Sequence, residues 1–262
     1  MPLIFSIVIL LIGFCIGSFI NVVIDRTSKK ESIITGRSYC DNCRKKLEWH
    51  ELIPIVSYIV LKRKCRSCRS SLSLQYPIVE ISSGVLILIA YLFLIQNTSF
   101  ILVSTLSIFY YISIISSLIA IFVIDIKYGI IPNKILIFML AVILPYSFIF
   151  EKALLLESFT SAILSFLFFF VLVLITKGKG MGFGDAKLAF IMGFFLRSPA
   201  IIVALYIAFL TGAMISLILV IWGKKHFKKS TIPFAPFLAF GAILSLFLGN
   251  QIWQYVKLVF LF

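Results

Sequence analysis

Long runs of apolar residues, separated by short polar stretches, dominate the chain. A run of about 20 apolar residues crosses a bilayer core as a helix, and the backbone within lipid must satisfy its own hydrogen bonds. Continuous rather than alternating apolarity argues against a transmembrane β-barrel. The pattern predicts an all-α polytopic membrane protein with about eight transmembrane helices: 2–24, 78–96, 100–124, 130–150, 154–176, 186–200, 201–222 and 232–249.

Three of the apolar runs differ from the others. The first has no basic segment before it and exceeds the roughly 7–15 apolar residues of a signal peptide, so we expect a retained first helix. The sixth run is short and is interrupted by Pro199. The apolar and aromatic tail 250–262 is expected to lie at the membrane interface or along the helix bundle.

One polar segment is long enough to fold outside the membrane. It divides the sequence into a first transmembrane helix (1–24), a cytoplasmic loop domain (25–77) and a membrane domain (78–262). No internal repeat is evident from the sequence.

Charge orients this arrangement. The chain has 262 residues, of which 61% are hydrophobic and 13% charged, and a net charge of +14. Four segments hold 21 of the 24 Lys and Arg residues: 25–77, 125–134, 177–187 and 223–230. Because cytoplasmic loops carry the Lys and Arg excess, these segments are predicted to face the cytoplasm, with the N-terminus outside. The positive charge then reflects topology and attraction to anionic lipid, and no nucleic-acid partner is expected.

The polar segment contains two C-x-x-C pairs with 21 residues between them: Cys40, Cys43, Cys65 and Cys68. This spacing is typical of a four-thiolate zinc site, and a metal would stabilise a loop too small to bury much core. Disulfides are rare in a reducing cytosol, but a redox role and unliganded thiols remain alternatives. His50 is a possible substitute ligand. Cys15, in the first apolar run, is expected to be a packing residue.

Three acidic residues adjoin or enter apolar runs, where ionisable groups are costly and are functional candidates: Glu80, Asp125 and Asp185. Glu80 either contributes to function or pairs with a nearby Lys or Arg at the interface. The acids of segment 25–77 are expected to be solvated partners of its Lys and Arg. Glu151 and Glu157 are expected to flank an outer turn.

Asp125 and Asp185 are predicted to meet at the cytoplasmic face, because two membrane crossings separate them. Two close carboxyl groups share one proton, so one can activate water while the other polarises a carbonyl group. Gly182 and Gly184 let the backbone approach a partner helix or an extended substrate, and Lys187 follows as a supporting residue. Asp185 could instead merely cap a helix or belong to an ordinary Gly-Asp turn.

The two carboxyl groups are expected to differ in acidity. Asp125 near a helix C-terminus should hold its proton, whereas Asp185 near a helix N-terminus should ionise first and act as the base. Coupling between them makes the pKa values a property of the pair.

Six segments, in order, resemble signatures of the bacterial type IV prepilin peptidases, which are membrane aspartic proteases of the G-x-G-D kind. They are "GSFINVVIDR" (17–26), the two C-x-x-C pairs, "QYPIVE" (75–80), Asp125 with "IPN" downstream, "GMGFGDAKL" (180–188) and "IPFAPFLAFG" (232–241). The sequence departs from the family pattern at "TSKKESI" after Arg26, where many members have a Pro-containing stretch. It also departs at Asn133, where aspartate is common, and at Ala235, where glycine is common.

The resemblance implies an inner-membrane enzyme that cleaves the basic leader of prepilins or pseudopilins after a glycine, on the cytoplasmic side. Asp125 and Asp185 would be the catalytic pair, with no metal at that site. The resemblance also implies methylation of the new N-terminal amine with S-adenosylmethionine, an activity associated with the cysteine-bearing region. No glycine-rich nucleotide fingerprint marks the methyl-donor site.

Other functions account for part of the pattern. An ion-coupled transporter would use Asp125 and Asp185 as cation ligands, but no inverted repeat is visible and the acids lie at the ends of spans. A structural protein that docks a partner through the zinc loop would leave Asp125 unexplained. Within the enzyme class, a peptidase without methyltransferase activity is the alternative.

Overall fold

A computed structural model of the protein describes residues 2–29, 31–33, 35–97, 101–178, 180–222 and 233–260. Within these ranges the regular structure is helical, apart from two isolated β-bridges, which confirms the predicted all-α class. The α-helices are α1 (Pro2–Lys29), α2 (Val56–Val60), α3 (Gln75–Asn97), α4 (Ile101–Tyr128), α5 (Asn133–Phe150), α6 (Leu155–Ile175), α7 (Phe183–Leu196), α8 (Ala200–Ile221) and α9 (Ala235–Phe260).

Seven helices of the described chain are long and apolar enough to cross a membrane: α1, α3, α4, α5, α6, α8 and α9. The segment 186–200, predicted to be short, corresponds to α7, which has 14 residues and is shorter than each of these seven helices. At 1.5 Å per residue this helix rises about 21 Å, less than the roughly 30 Å of a hydrocarbon core. The predicted tail 250–262 continues α9 as far as Phe260. The basic segment 223–230 lies outside the described residues.

The chain divides into two compact units, Met1–Ala120 and Ile121–Phe262. In the first unit, α1 packs along α3 and the cysteine-containing segment connects them. The hydroxyl of Ser83 on α3 donates to the Gly13 carbonyl of α1 at 2.9 Å, within a buried interface. The predicted division at residues 24 and 77 stays a prediction.

Cys15, predicted to be a packing residue, is exposed within the described chain, so this prediction is wrong. Helical geometry explains this, because α1 meets α3 with the face that carries Gly13 and Gly17. A residue two positions after Gly13 is turned about 200° away from that face.

In the second unit, α6 packs along α7 and α8 along α9. A Cβ atom at Gly193 on α7 would lie 2.6 Å from the Ser161 carbonyl oxygen of α6, so only glycine allows this approach. Aromatic rings also join α6, α8 and the start of α9. Phe169 of α6 stacks on Phe209 of α8 with ring centroids 5.9 Å apart, and Phe209 contacts Phe234, just before α9, with centroids 5.0 Å apart. The end of α7 is held by Arg197, which pairs with Glu151 and donates to Ser158 at 2.8 Å.

Candidate functional site

Asp185 lies in the first turn of α7 and is 7% exposed. Gly182, which precedes the helix in an extended conformation, donates its backbone N–H to Asp185 Oδ2 at 3.1 Å. The carboxylate therefore does satisfy a free N–H at the helix start, as the capping alternative expected. This bond occupies Oδ2 and does not involve Oδ1.

Asp125 lies in the last turn of α4 and is 5% exposed. Its Oδ2 atom is fully buried and, among the described residues, has no hydrogen-bond partner. The backbone N–H of Ala235, at the start of α9, faces the same carboxyl group. A buried carboxyl oxygen without a partner is costly. A buried acid with such an oxygen is a candidate for binding a substrate or sharing a proton.

The connection between α4 and α5 packs against the start of α7. A Cβ atom at Gly184 would lie 3.2 Å from the Ile131 side chain, so the glycine allows close contact there. Lys187 donates to Asn133 Oδ1 at 3.0 Å, and its ammonium group lies 5.2 Å from the centre of the Phe183 ring. The supporting residues Gly182, Gly184 and Lys187 thus surround the turn that positions Asp185.

The pKa of Asp185 depends in part on the charge of Asp125. Burial raises the pKa of Asp185 to about 7, the hydrogen bond from Gly182 opposes this shift, and the negative charge of Asp125 adds to it. The two carboxyl groups are therefore close enough to interact electrostatically. A position near a helix N-terminus lowers the pKa of a carboxyl group, and burial raises it. For Asp185 the effect of burial is larger, so its pKa lies near neutral pH. Which residue of the pair holds the proton stays a prediction.

The four cysteines of segment 25–77 converge in the first unit. Their sulfur atoms all lie within 4.8 Å of one another, and the Cys40 and Cys68 sulfurs are 3.8 Å apart. Four ligands about 2.3 Å from a central zinc ion stand about 3.8 Å apart in a tetrahedron. All four thiols are free of disulfides. Hydrogen bonds from Ser70 lower the pKa of Cys68 to about 6, whereas burial and the neighbouring thiols raise the pKa of Cys43 to about 11, so the thiols of the cluster titrate together. The cluster fits a metal ion such as zinc.

The two cysteine pairs sit in equivalent turns. Arg44 N–H donates to the Cys40 carbonyl at 2.9 Å, and Arg69 N–H donates to that of Cys65 at 3.0 Å. Both arginines have positive φ, 57° and 55°. A local repeat at a spacing of 25 residues therefore exists, contrary to the sequence analysis. The signal is present in the sequence as C-x-x-C-R-x-x-L at both 40–47 and 65–72.

Glu80 on α3 is 6% exposed and accepts a hydrogen bond from the backbone N–H of Ile55 at 2.7 Å. Among the described residues, the structure shows no ion pair between Glu80 and Lys or Arg, which was one of the two alternatives for this residue. Of the loop acids, Asp41 pairs with Lys29 as predicted. Glu51, in contrast, is buried and accepts from the backbone N–H of Glu48 at 2.9 Å.

Arg26, which the sequence analysis did not select, organises the loop after α1. It is 7% exposed, and its guanidinium group donates to four backbone carbonyls at 2.9–3.3 Å: Ser32, Ile33, Thr35 and Gly36. An arginine directly after an apolar span was the available signal, but positive charge is expected there for topology alone.

Comparison with known proteins agrees with this geometry. Residues 11–94 match the bacterial peptidase A24 N-terminal domain, and residues 112–217 match the type IV leader peptidase family. A prepilin leader peptidase/N-methyltransferase of Bacillus subtilis (strain 168) is 34% identical over 252 residues, covering 96% of this chain and 98% of the relative. One from Burkholderia pseudomallei (strain K96243) is 29% identical, covering 97% and 87%. No solved structure matches the chain. The chain belongs to the type IV leader peptidase family.

Proposed function

We propose that this protein cleaves the basic leader from prepilins or pseudopilins and then methylates the new N-terminal amine. The observation that carries the proposal is the burial of Asp125 and Asp185 within electrostatic reach of each other, in a family of leader peptidases. The relatives named as prepilin leader peptidase/N-methyltransferases support both activities.

In the peptidase reaction, ionised Asp185 accepts a proton from water as the water oxygen attacks the scissile carbonyl carbon. Protonated Asp125 donates a hydrogen bond to the carbonyl oxygen, which carries the developing negative charge. The tetrahedral intermediate then collapses, the C–N bond breaks, and the leaving nitrogen takes a proton from the pair. The products are a new carboxyl end on the leader and a free amine on the mature chain.

The surroundings of the two acids suit this chemistry. The Gly182 N–H holds Asp185 Oδ2, which orients the carboxylate. Asp125 Oδ2 has no partner among the described residues, which leaves it able to bind the substrate carbonyl when protonated. Burial favours a shared proton over two negative charges, because the low dielectric makes the second ionisation costly.

Cys40, Cys43, Cys65 and Cys68 would hold a structural zinc ion. A zinc ion in this cluster would cross-link the two turns. It would have no open position for a substrate or water, because four thiolates fill its tetrahedral coordination. The cysteines then stabilise a segment whose helices, Trp49–Leu52 and Val56–Val60, have only four and five residues.

S-adenosylmethionine, when bound, supplies a methyl group from its sulfonium sulfur to the new amine. The amine must first lose a proton, so its lone pair can form the N–C bond as the C–S bond breaks.

The protein would act in the bacterial inner membrane, with the cysteine loop and both aspartates on the cytoplasmic side. The concentration of Lys and Arg in four predicted inner segments supports this orientation. Lipid and the apolar helix of the substrate would be its partners.

The proposal is tested with purified protein in detergent, a prepilin-like substrate and mass spectrometry, with and without S-adenosylmethionine. We expect a leader-sized mass loss in both conditions and the mass of one methyl group added only with the donor. Intact substrate after prolonged incubation would contradict the peptidase, and cleaved but unmodified product would leave a peptidase without methyltransferase activity.

A further inference from the structure

A cavity of about 640 Å³ lies within the first unit, enclosed by α1, the start of α3 and the cysteine segment. Small-molecule sites in proteins are typically about 300–1,000 Å³. The two aspartates of the candidate active site belong to the second unit and do not line this cavity. The peptidase reaction therefore leaves the cavity without a role.

The lining of the cavity is acidic, although the segment around it is the most basic part of the chain. Among the groups that line the cavity, four carry carboxylates and one carries a guanidinium: Asp25, Asp41, Glu51, Glu80 and Arg66. Asp41 is paired with Lys29, which is not part of the lining, so the other three acids carry the argument. Of the carboxylates, Glu51 and Glu80 are buried and accept hydrogen bonds from backbone N–H groups rather than from cations. A negative lining of this kind favours a cationic ligand.

Aromatic and polar groups complete the wall. Tyr76 donates its hydroxyl to Asp25 at 3.0 Å, and its backbone carbonyl accepts from the Asn21 amide at 3.1 Å. Tyr39 and Tyr58 also line the cavity. Tyrosine rings bind flat bases by stacking and cations through the ring face, while Ser and Asn side chains serve as donors and acceptors for hydroxyl groups.

We propose that this cavity is the binding site for the sulfonium nucleoside that donates the methyl group. S-adenosylmethionine combines a flat base, a hydroxylated sugar, a sulfonium cation, an ammonium group and a carboxylate. The tyrosines suit the base, the acids suit the two cationic groups, and Arg66 suits the carboxylate. The proposal rests on the proposed methyltransferase function and adds the cavity and the residues that hold the donor, which the association with the cysteine-bearing region does not specify.

The cavity also gives the cysteines a physical connection to methylation. Cys40 and Cys65 line its wall, so the two cross-linked turns form part of the donor site. Metal binding would then shape the cavity without contributing to the chemistry.

The test is equilibrium binding of radiolabelled S-adenosylmethionine and S-adenosylhomocysteine to the purified full chain in detergent. The second compound lacks the methyl group and the sulfonium charge. Glu80→Gln removes an acid of the lining but keeps an oxygen that can accept from the Ile55 N–H. Val22→Trp fills the cavity and leaves every acid in place. Glu157→Gln and Val8→Trp, the matched controls, make the same changes outside the cavity.

We expect the wild-type protein to bind S-adenosylmethionine more tightly than S-adenosylhomocysteine. Glu80→Gln should weaken binding of S-adenosylmethionine roughly tenfold, with little effect on S-adenosylhomocysteine, which lacks the sulfonium charge. Val22→Trp should abolish binding of both, and the controls should bind like the wild type. Zinc content and thermal unfolding establish that each variant is folded.

Wild-type affinity in both Glu80→Gln and Val22→Trp would overturn the cavity assignment, as would the absence of binding to the wild-type protein. The assay does not depend on catalysis, so it separates two failures. Binding in the cavity without a methylated product would overturn the proposed methyltransferase alone. Methylated product with donor affinity unchanged in Glu80→Gln and Val22→Trp would overturn the cavity assignment alone.

Discussion

Asp185 accepts the backbone N–H of Gly182 at 3.1 Å through only one of its carboxylate oxygens. Asp185 thus satisfies a backbone N–H at the start of α7, and the same side chain lies close enough to Asp125 for the two charges to interact. Capping a helix and acting as half of a catalytic pair are compatible here, because a carboxylate has two oxygens and the cap needs one. The structural and functional interpretations of Asp185 do not exclude each other.

This double role predicts that folding and cleavage can be separated at position 185. Asp185→Asn keeps an oxygen for the Gly182 N–H but cannot act as a base, so we expect normal thermal unfolding and a loss of cleavage of roughly 10²–10⁴-fold. Asp185→Ala loses the cap as well and should be less stable by about 1 kcal/mol. Leader removal is followed by mass spectrometry, with Glu157→Gln as the control. Full cleavage by the Asn variant would reject the role of Asp185 as base.

Asp125→Asn is expected to abolish cleavage for a different reason. The amide removes the acidic proton that the mechanism places on the carboxyl group, while the side chain keeps its size. The same cleavage assay measures this loss, and membrane insertion should match the wild type. Cleavage at the wild-type rate would reject the paired mechanism even if Asp185→Asn were inactive.

Cleavage should depend on pH near neutrality. The pKa of Asp185 is raised to about 7 by burial, so the fraction able to act as base increases as pH rises from about 5 to about 7. We expect kcat/KM for a prepilin-like peptide to increase across this interval. A flat profile from pH 5 to 8 would contradict Asp185 as the base.

The same shift has the opposite effect on stability. The folded protein holds a proton on Asp185 that the unfolded chain releases above a pKa of 3.8, so the contribution of Asp185 to stability falls as pH rises from about 4 to about 7. Asp185→Asn should lose this part of the pH dependence.

Loss of one thiolate should release the metal from the cysteine cluster. Cys40→Ser is expected to lower the zinc content measured by elemental analysis and to make the loop more sensitive to protease, since metal binding and folding are coupled. Cleavage should be weakened less than methylation. Cys15→Ser makes the same change at the exposed cysteine of α1 and should keep the wild-type metal content. Normal zinc content in Cys40→Ser would reject the four-thiolate site.

The contact between α6 and α7 should depend on Gly193. In Gly193→Ala, the new Cβ atom would meet the Ser161 oxygen at 2.6 Å and the Ala162 Cα at 2.7 Å, both backbone atoms. We expect destabilisation of about 1–3 kcal/mol, measured by thermal unfolding in detergent. Gly212→Ala, in the interior of α8, meets only ring atoms such as Phe237 Cδ2 at 3.3 Å and should change stability little. Equal stability of the two variants would contradict the close helix contact.

The apolar runs predicted the helical class and most of the helices, because a hydrophobic segment of sufficient length has few stable alternatives in a membrane. The short, Pro-interrupted segment predicted at 186–200 corresponds to α7, which begins earlier, at Phe183, and ends at Leu196, before Pro199. Composition measures hydrophobicity, whereas the end of a helix depends on local backbone geometry.

At the candidate site, the sequence by itself determined which residues are candidates for the chemistry: two isolated acids at the ends of apolar segments and four cysteines in two pairs. The tertiary structure decided what each of them contacts. It turned Asp185 towards the Gly182 N–H, left Asp125 Oδ2 without a partner among the described residues, gave Glu80 a backbone donor and lined a cavity with acids. The physical reason is that residue type and spacing specify chemical capacity and local helix phase, while burial and hydrogen bonding arise from segments distant in sequence.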